Sequence, residues 1–201
     1  MPNPPPPQLL KKIRAPKARE VPGRNRLGEE SLALLRDEQT PLEFLDALIA
    51  HERFADAIHF LAHAIPKREA VWWGCLCVKQ AGGENLSPYA LAALTAATRW
   101  ALRPEEEFRA AAKEPAKAAG FKAPAGILAH AVSYSGGSLA PAGLPEVPPN
   151  PALTAQCVAG AIKLAAATAP PDQAKRIFHR FLALGIGIAI GKHAEKLPPA
   201  N

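Results

Sequence analysis

Ile65–Gln80, IPKREAVWWGCLCVKQ, is the stretch that decides the fold of this 201-residue chain. Pro66 suits the first turn of a helix, where a missing N–H costs nothing, and Lys67, Arg68 and Glu69 form a polar opening. From Val71 to Val78 no charged residue occurs. At about 100° per residue every face of two turns is then apolar, as in a helix surrounded by neighbours. Trp72 and Trp73 point to different sides of such a helix, and each can cover a separate partner with about 150–250 Å² of ring surface. Gly74 lets one neighbour approach. The run is far shorter than the ~20 residues that cross a bilayer, so the stretch predicts a buried hub and no membrane span.

Composition agrees with a helical hub. Alanine dominates the apolar set, Tyr, Ile and Val are sparse, and the chain has a length suited to one domain. The 22 prolines gather in residues 2–22, 141–151 and 198–199 or stand at helix starts such as Pro41, Pro66, Pro88 and Pro104. The expected fold is all-α, a single compact bundle of about seven to eight helices built from helical hairpins in repeat-like packing. A disordered, Pro-rich, basic tail over residues 1–28 is expected before the domain at 29–196, with a short C-terminal tail at 197–201.

The formal charge of +6 belongs to that N-terminal tail. Residues 1–26 hold seven Lys/Arg against Glu20 alone, and the rest of the chain balances at 17 against 17. The high pI therefore describes an arm rather than a basic domain face. An arm of this kind can touch nucleic acid, but no aromatics interleave with its charges as single-strand binding favours; its first reading is a solubilising tail, and a nucleic-acid partner is not expected. Nor does an apolar stretch of 7–15 residues follow the basic residues, so no secretory signal is read and a cytoplasmic location is expected.

Cys75, Cys77 and Cys157 all lie in apolar helical segments, which suits reduced, buried thiols. Cys75 and Cys77 project about 200° apart on a helix and cannot clasp one zinc.

Thr40-Pro41-Leu42-Glu43 reads as a capping box with Pro at the first helical position. Leu42, Leu45, Leu48 and Ile49 give that helix its inner stripe. After a break near residues 51–53, Phe54, Ile58, Leu61 and Ile65 make the apolar face of a second helix. Opposite that face Glu52, Asp56, His59 and His63 share one row. Histidines at i and i+4 can share a divalent ion, and a carboxylate on the same row can complete the set. No third ligand is identifiable elsewhere and the HExxH arrangement is absent, so the row reads first as the polar face of an amphipathic helix. No metal or cofactor is assigned.

Ser87-Pro88 caps a further helix through Trp100, and Pro104 with Glu105, Glu106 and Glu107 opens the next with acids at the positive end of its dipole. Pro115 should kink or end the Ala/Lys/Glu-rich segment that follows. A short buried helix ends at Tyr134, before the 17 residues Ser135 to Pro151 with three Gly and five Pro. Such a loop usually has a task or is pinned against the body. SYSGGSLAP has the glycines of a phosphate cradle but lacks the P-loop Lys and the preceding strand. Two long helices, from Pro151 and from Pro171, close the chain, the last becoming wholly apolar after Leu184.

Three stretches, FADAIHFLAHAIPKREAVWWGCLC, SYSGGSLAPAGLPEVPPNPALTAQCVAGAIKLAA and the terminal FLALGIGIA, together resemble an uncharacterised bacterial family catalogued as a domain of unknown function. The resemblance covers residues 40–192 and carries no assigned active site. It implies genes lying beside type VI secretion components such as spike-tip and adaptor proteins, and hence an adaptor or chaperone role. The expected function is a non-enzymatic scaffold or adaptor that binds another protein, an effector or spike component of that secretion system among the candidates. The surface expected to serve it is the loop, with Tyr134, Ser135, Gly136, Gly137 and Ser138, beside Lys67 and Arg68 at the hub helix's exposed start. Two other classes stand behind it: a metal-binding enzyme or sensor using His59 and His63 with Asp56 or Glu52, and a nucleic-acid binder using the basic arm.

Overall fold

Thr40 opens the first long helix by the capping box written in its sequence. The Thr40 hydroxyl accepts from the Glu43 amide at 3.3 Å, the Glu43 carboxylate accepts from the Thr40 amide at 2.7 Å, and Pro41 takes the first helical position. This computed structural model describes residues 11–83, 85–140 and 143–192. Among them the chain forms ten α-helices, eight of seven residues or more, and no strand. The helices are α1 (Glu29–Leu32), α2 (Pro41–Ala50), α3 (Phe54–Ala64), α4 (Lys67–Gly82), α5 (Pro88–Leu102), α6 (Glu106–Ala111), α7 (Lys113–Ala119), α8 (Pro124–Ser133), α9 (Leu153–Ala167) and α10 (Pro171–Ala189). No helix of the described residues is long and apolar enough to cross a membrane.

The hub is where the sequence places it. Ala70 to Cys75, Cys77 and Val78 of α4 are buried, and α4 packs against α3, α5, α8, α9 and α10. Trp73 carries the contact to the far end of the chain, where its indole Nε1 donates to the Phe181 carbonyl of α10 at 2.8 Å. The ring can lie on that helix because Gly185, one turn on, has no side chain. A Cβ there would stand 2.6 Å from Trp73 and 2.7 Å from Leu61. The expected close approach at Gly74 is present too, with Leu128 of α8 filling the space a side chain would take.

Local breaks follow from single residues. Between α2 and α3, Glu52 takes a positive φ of 58°, the left-handed turn that Gly ordinarily supplies. The break expected near Pro115 falls at Ala112, because the Pro ring excludes a helical carbonyl four residues back and is tolerated inside the first turn of α7.

Disorder was the expectation for residues 1–28, and the described part of that segment corrects it. Residues 1–10 lie outside the described residues, as do residues 193–201, which contain the expected C-terminal tail. Residues 11–28 lie against the helices, with Ala18, Val21 and Leu27 buried and 3-10 turns at Ala18–Glu20 and Arg24–Arg26. The Lys12 amide donates to the Ala189 carbonyl at 2.9 Å and the Ala18 amide to that of Gln39 at 2.8 Å. Lys12 pairs with the buried Glu69 at 3.0 Å, while Lys17 and Arg19 meet Glu38 and Asp37 at 2.8 and 3.2 Å. The two surface pairs, Lys17–Glu38 and Arg19–Asp37, contribute at most ~1 kcal/mol each, so the arm is held mainly by its buried apolar residues and backbone bonds.

Two glycine substitutions separate crowding from helix propensity. At Gly160 of α9 the nearest atom to an added Cβ is Ile127 Cγ2 at 3.9 Å, ordinary contact, so Gly160→Ala is expected to raise stability by up to ~1 kcal/mol. Gly185→Ala gains the same propensity but drives a methyl into Trp73 and Leu61, an overpacking cost of about 1–3 kcal/mol, and is expected to lower stability. Urea unfolding of both variants checks the opposite signs.

Candidate functional site

The row Glu52, Asp56, His59 and His63 is dispersed by the fold. Glu52 leaves the row in its left-handed turn and binds Lys175 of α10. Asp56 Oδ2 accepts from the Ser31 hydroxyl at 2.5 Å and from the Gly28 amide at 3.2 Å, which fastens the arm and α1 onto α3. His59 and His63 do come together, with ring centroids 4.5 Å apart. The arm closes over them. His59 Nε2 donates to the Gly23 carbonyl at 3.2 Å, and Gly23, at φ 79°, lies so close that a Cβ would meet the His63 ring at 2.7 Å. His63 Nε2 is buried with no protein partner. Burial depresses both histidines, His63 to about 4, with His59 and Arg26 adding repulsion. Among the described residues no three His, Cys, Asp or Glu groups are placed to hold a metal ion.

The loop after α8 is pinned at its base. Ser138 Oγ accepts from the Ala140 and Val147 amides, both at 3.0 Å, and the Leu139 amide donates to the Val147 carbonyl at 2.8 Å. Lys67 and Arg68, expected at an exposed helix start, are half-buried and serve the backbone instead. Lys67 Nζ donates to the Ser135 carbonyl at 2.9 Å; Arg68 donates to Ala101 and Leu102 carbonyls at 2.8 and 3.2 Å, satisfying the end of α5. Arg109 of α6 adds a bond to the Ser133 carbonyl at 2.7 Å, and its guanidinium occupies the space beside Gly137. Tyr134 is half-buried and stacks on His130, whose other face carries the exposed Phe121 with centroids 4.1 Å apart.

The residues expected to meet a partner are thus largely the ones that shape the loop. What the loop displays is different: Leu139, Leu144 and Val147, exposed at 42, 61 and 51%. Their signal in the sequence was present, three large apolar residues between prolines, but nothing local says which loop side chains face water. A second exposed apolar region lies on α5, where Tyr89 and Leu91 stand out and Leu91 edges a cleft of about 520 Å³ ending at Arg99 and Phe108.

A family model matches residues 44–189, from Phe44 in α2 to Ala189 at the end of α10. The chain belongs to DUF6931, a family of unknown function. No curated protein and no solved structure matches it. The DUF6931 match contains the tryptophan hub, the histidine pair and the pinned loop, whereas the arm and α1 precede it.

For this DUF6931 protein the metal reading has a direct check. With Asp56 and Glu52 committed elsewhere and the histidines covered by the arm, protein purified without a polyhistidine tag is expected to carry well under one equivalent of metal by elemental analysis. A full equivalent would restore the His59/His63 site.

Proposed function

We propose that this protein is a non-enzymatic helical scaffold that binds another protein through the loop of residues 135–149. The observation that carries the reading is the exposure of Leu139, Leu144 and Val147 on a loop whose base is fixed by Ser138, Lys67 and Arg109. Apolar side chains held out on a rigid support are what a protein interface buries at its centre.

Two further observations support a protein partner and a non-catalytic role. Lys12, Lys17 and Arg19 are already paired with acids of the body, which weakens the arm as a phosphate-binding element. Burial pushes the thiols of Cys75 and Cys157 up to about 12 and about 11, and raises Cys77 as well, so none is a thiolate near neutral pH. The family resemblance adds a specific candidate: a spike or effector component of a type VI secretion system, met in the cytoplasm.

Full-length protein and a Leu139→Ser/Leu144→Ser/Val147→Ser variant serve as paired baits in lysate of the native host. The expected outcome is a protein retained by the first and reduced at least tenfold with the second, while the thermal melts of the two baits coincide. Equal retention by both, or nothing above background with either, would overturn the assignment.

A further inference from the structure

We infer that residues 18–28 form an acid-released strap: protonation of the His59–His63 pair lifts this segment off α3 while the bundle beneath stays folded. The geometry has three parts. Two imidazoles lie with centroids 4.5 Å apart, tilted by 40°, a distance at which two positive charges repel strongly in a partly dry site. The strap touches both, through the Gly23 carbonyl on His59 and the Gly23 backbone against the His63 ring. His63 Nε2 is shut off without a partner, yet its ring lines a cleft of about 550 Å³ between the arm and the α3–α4 junction, with Lys12, Arg14 and Val21. The cleft therefore reaches the ring whose Nε2 the closed strap leaves unsatisfied.

The charged groups facing the pair make protonation harder while the strap is closed. Arg26 comes from the strap and Lys163 from α9, both positive; Asp56, on α3 itself, opposes them with a carboxylate that already holds Ser31 and Gly28, and Lys12, Arg14 and Glu20 of the arm line the cleft that His63 borders. Of the other charged groups on the elements around α3, Glu43 of α2 is engaged with Thr40, Glu69 of α4 with Lys12 and Lys175 of α10 with Glu52, while His179 of α10 meets the Phe54 ring edge to face. On the strap's side, Lys17 holds Glu38 below the ordinary carboxylate range, so this ion pair survives through the window in which the histidines titrate.

The direction follows from linkage. A histidine depressed in the closed state and returned to its ordinary 6.5 when released stabilises closure fully above 6.5, and that stabilisation is lost as pH falls towards His63's closed-state value of about 4. From pH 7.5 to 4.5, His63 alone raises the strap's opening equilibrium about 70-fold. The hub helix adds no such response of its own. α4 holds no titratable group in its buried middle except thiols that stay protonated throughout.

Hydrogen exchange of the full chain at pH 7.5 and 4.5, corrected for intrinsic rates, reads the strap directly. The expected result is a loss of protection of about 70-fold or more across residues 18–28, with residues 71–78 remaining far better protected than the strap at both pH values. In a His59→Gln/His63→Gln variant the strap's pH response should shrink to within about threefold. No acid-dependent loss in the wild type, the same loss in the variant, or protection of the strap no lower than that of residues 71–78 would overturn the inference. Should the variant fail to fold, the NMR titration of the His63 ring in the wild type decides. A midpoint well below 6.5 supports the strap, and a midpoint at 6.5 refutes it.

Discussion

One hydrogen bond ties the hub helix to the last helix of the fold: the Trp73 indole N–H donated to the backbone of α10 at Phe181. A buried indole N–H left without an acceptor costs about 1–3 kcal/mol, so the ring must lie where a carbonyl is reachable. In a helix the carbonyls are screened by side chains, and reaching one requires a gap. Gly185 is that gap, and Leu61 of α3 closes over the same spot. The register of α3, α4 and α10 is thereby set together, and the remaining helices pack around a hub whose position is no longer free. Trp72 makes the contrast within the same two residues, being buried as well but with an indole Nε1 that finds no protein acceptor.

The polar side of the molecule obeys the same rule that buried donors and acceptors find partners. Asp56, Lys67, Arg68 and Arg109 could all be taken for recognition groups, yet each is spent on backbone atoms of a loop, a helix end or the arm. Their work is to give shape. The display is left to the apolar residues of the loop, and one of the exceptions to the rule, the unpartnered His63 Nε2, lies where the arm can come away.

Much of the architecture was legible from residues whose effect is local. The Thr40 capping box, the Ser87 cap, the uncharged run around the two tryptophans and the thiols inside it act within a turn or two of themselves, and the structure keeps them all. The arm was not legible. Ala18, Val21 and Leu27 are three apolar residues scattered among prolines and charges, with no period, and their burial depends on a surface formed by residues far along the chain. The error over Asp56, His59 and His63 is the same one seen from the other side, since a row opposite the apolar stripe of α3 faces water only if nothing else covers it. Glu52 hid its turn because a left-handed residue is normally announced by Gly or Asn. Gly185 gave no sign either, for close approach is a property of pairs and Trp73 lies more than a hundred residues away.

Trp73→Phe and Trp72→Phe, compared by equilibrium unfolding, test the hub most directly, because the two changes remove similar ring volume from neighbouring buried sites. Trp73→Phe also deletes the bond to Phe181, whereas Trp72→Phe deletes a donor that has no protein partner. The account predicts that Trp73→Phe is the more destabilising by about 1 kcal/mol or more. Equal losses, or a larger loss at Trp72, would contradict it.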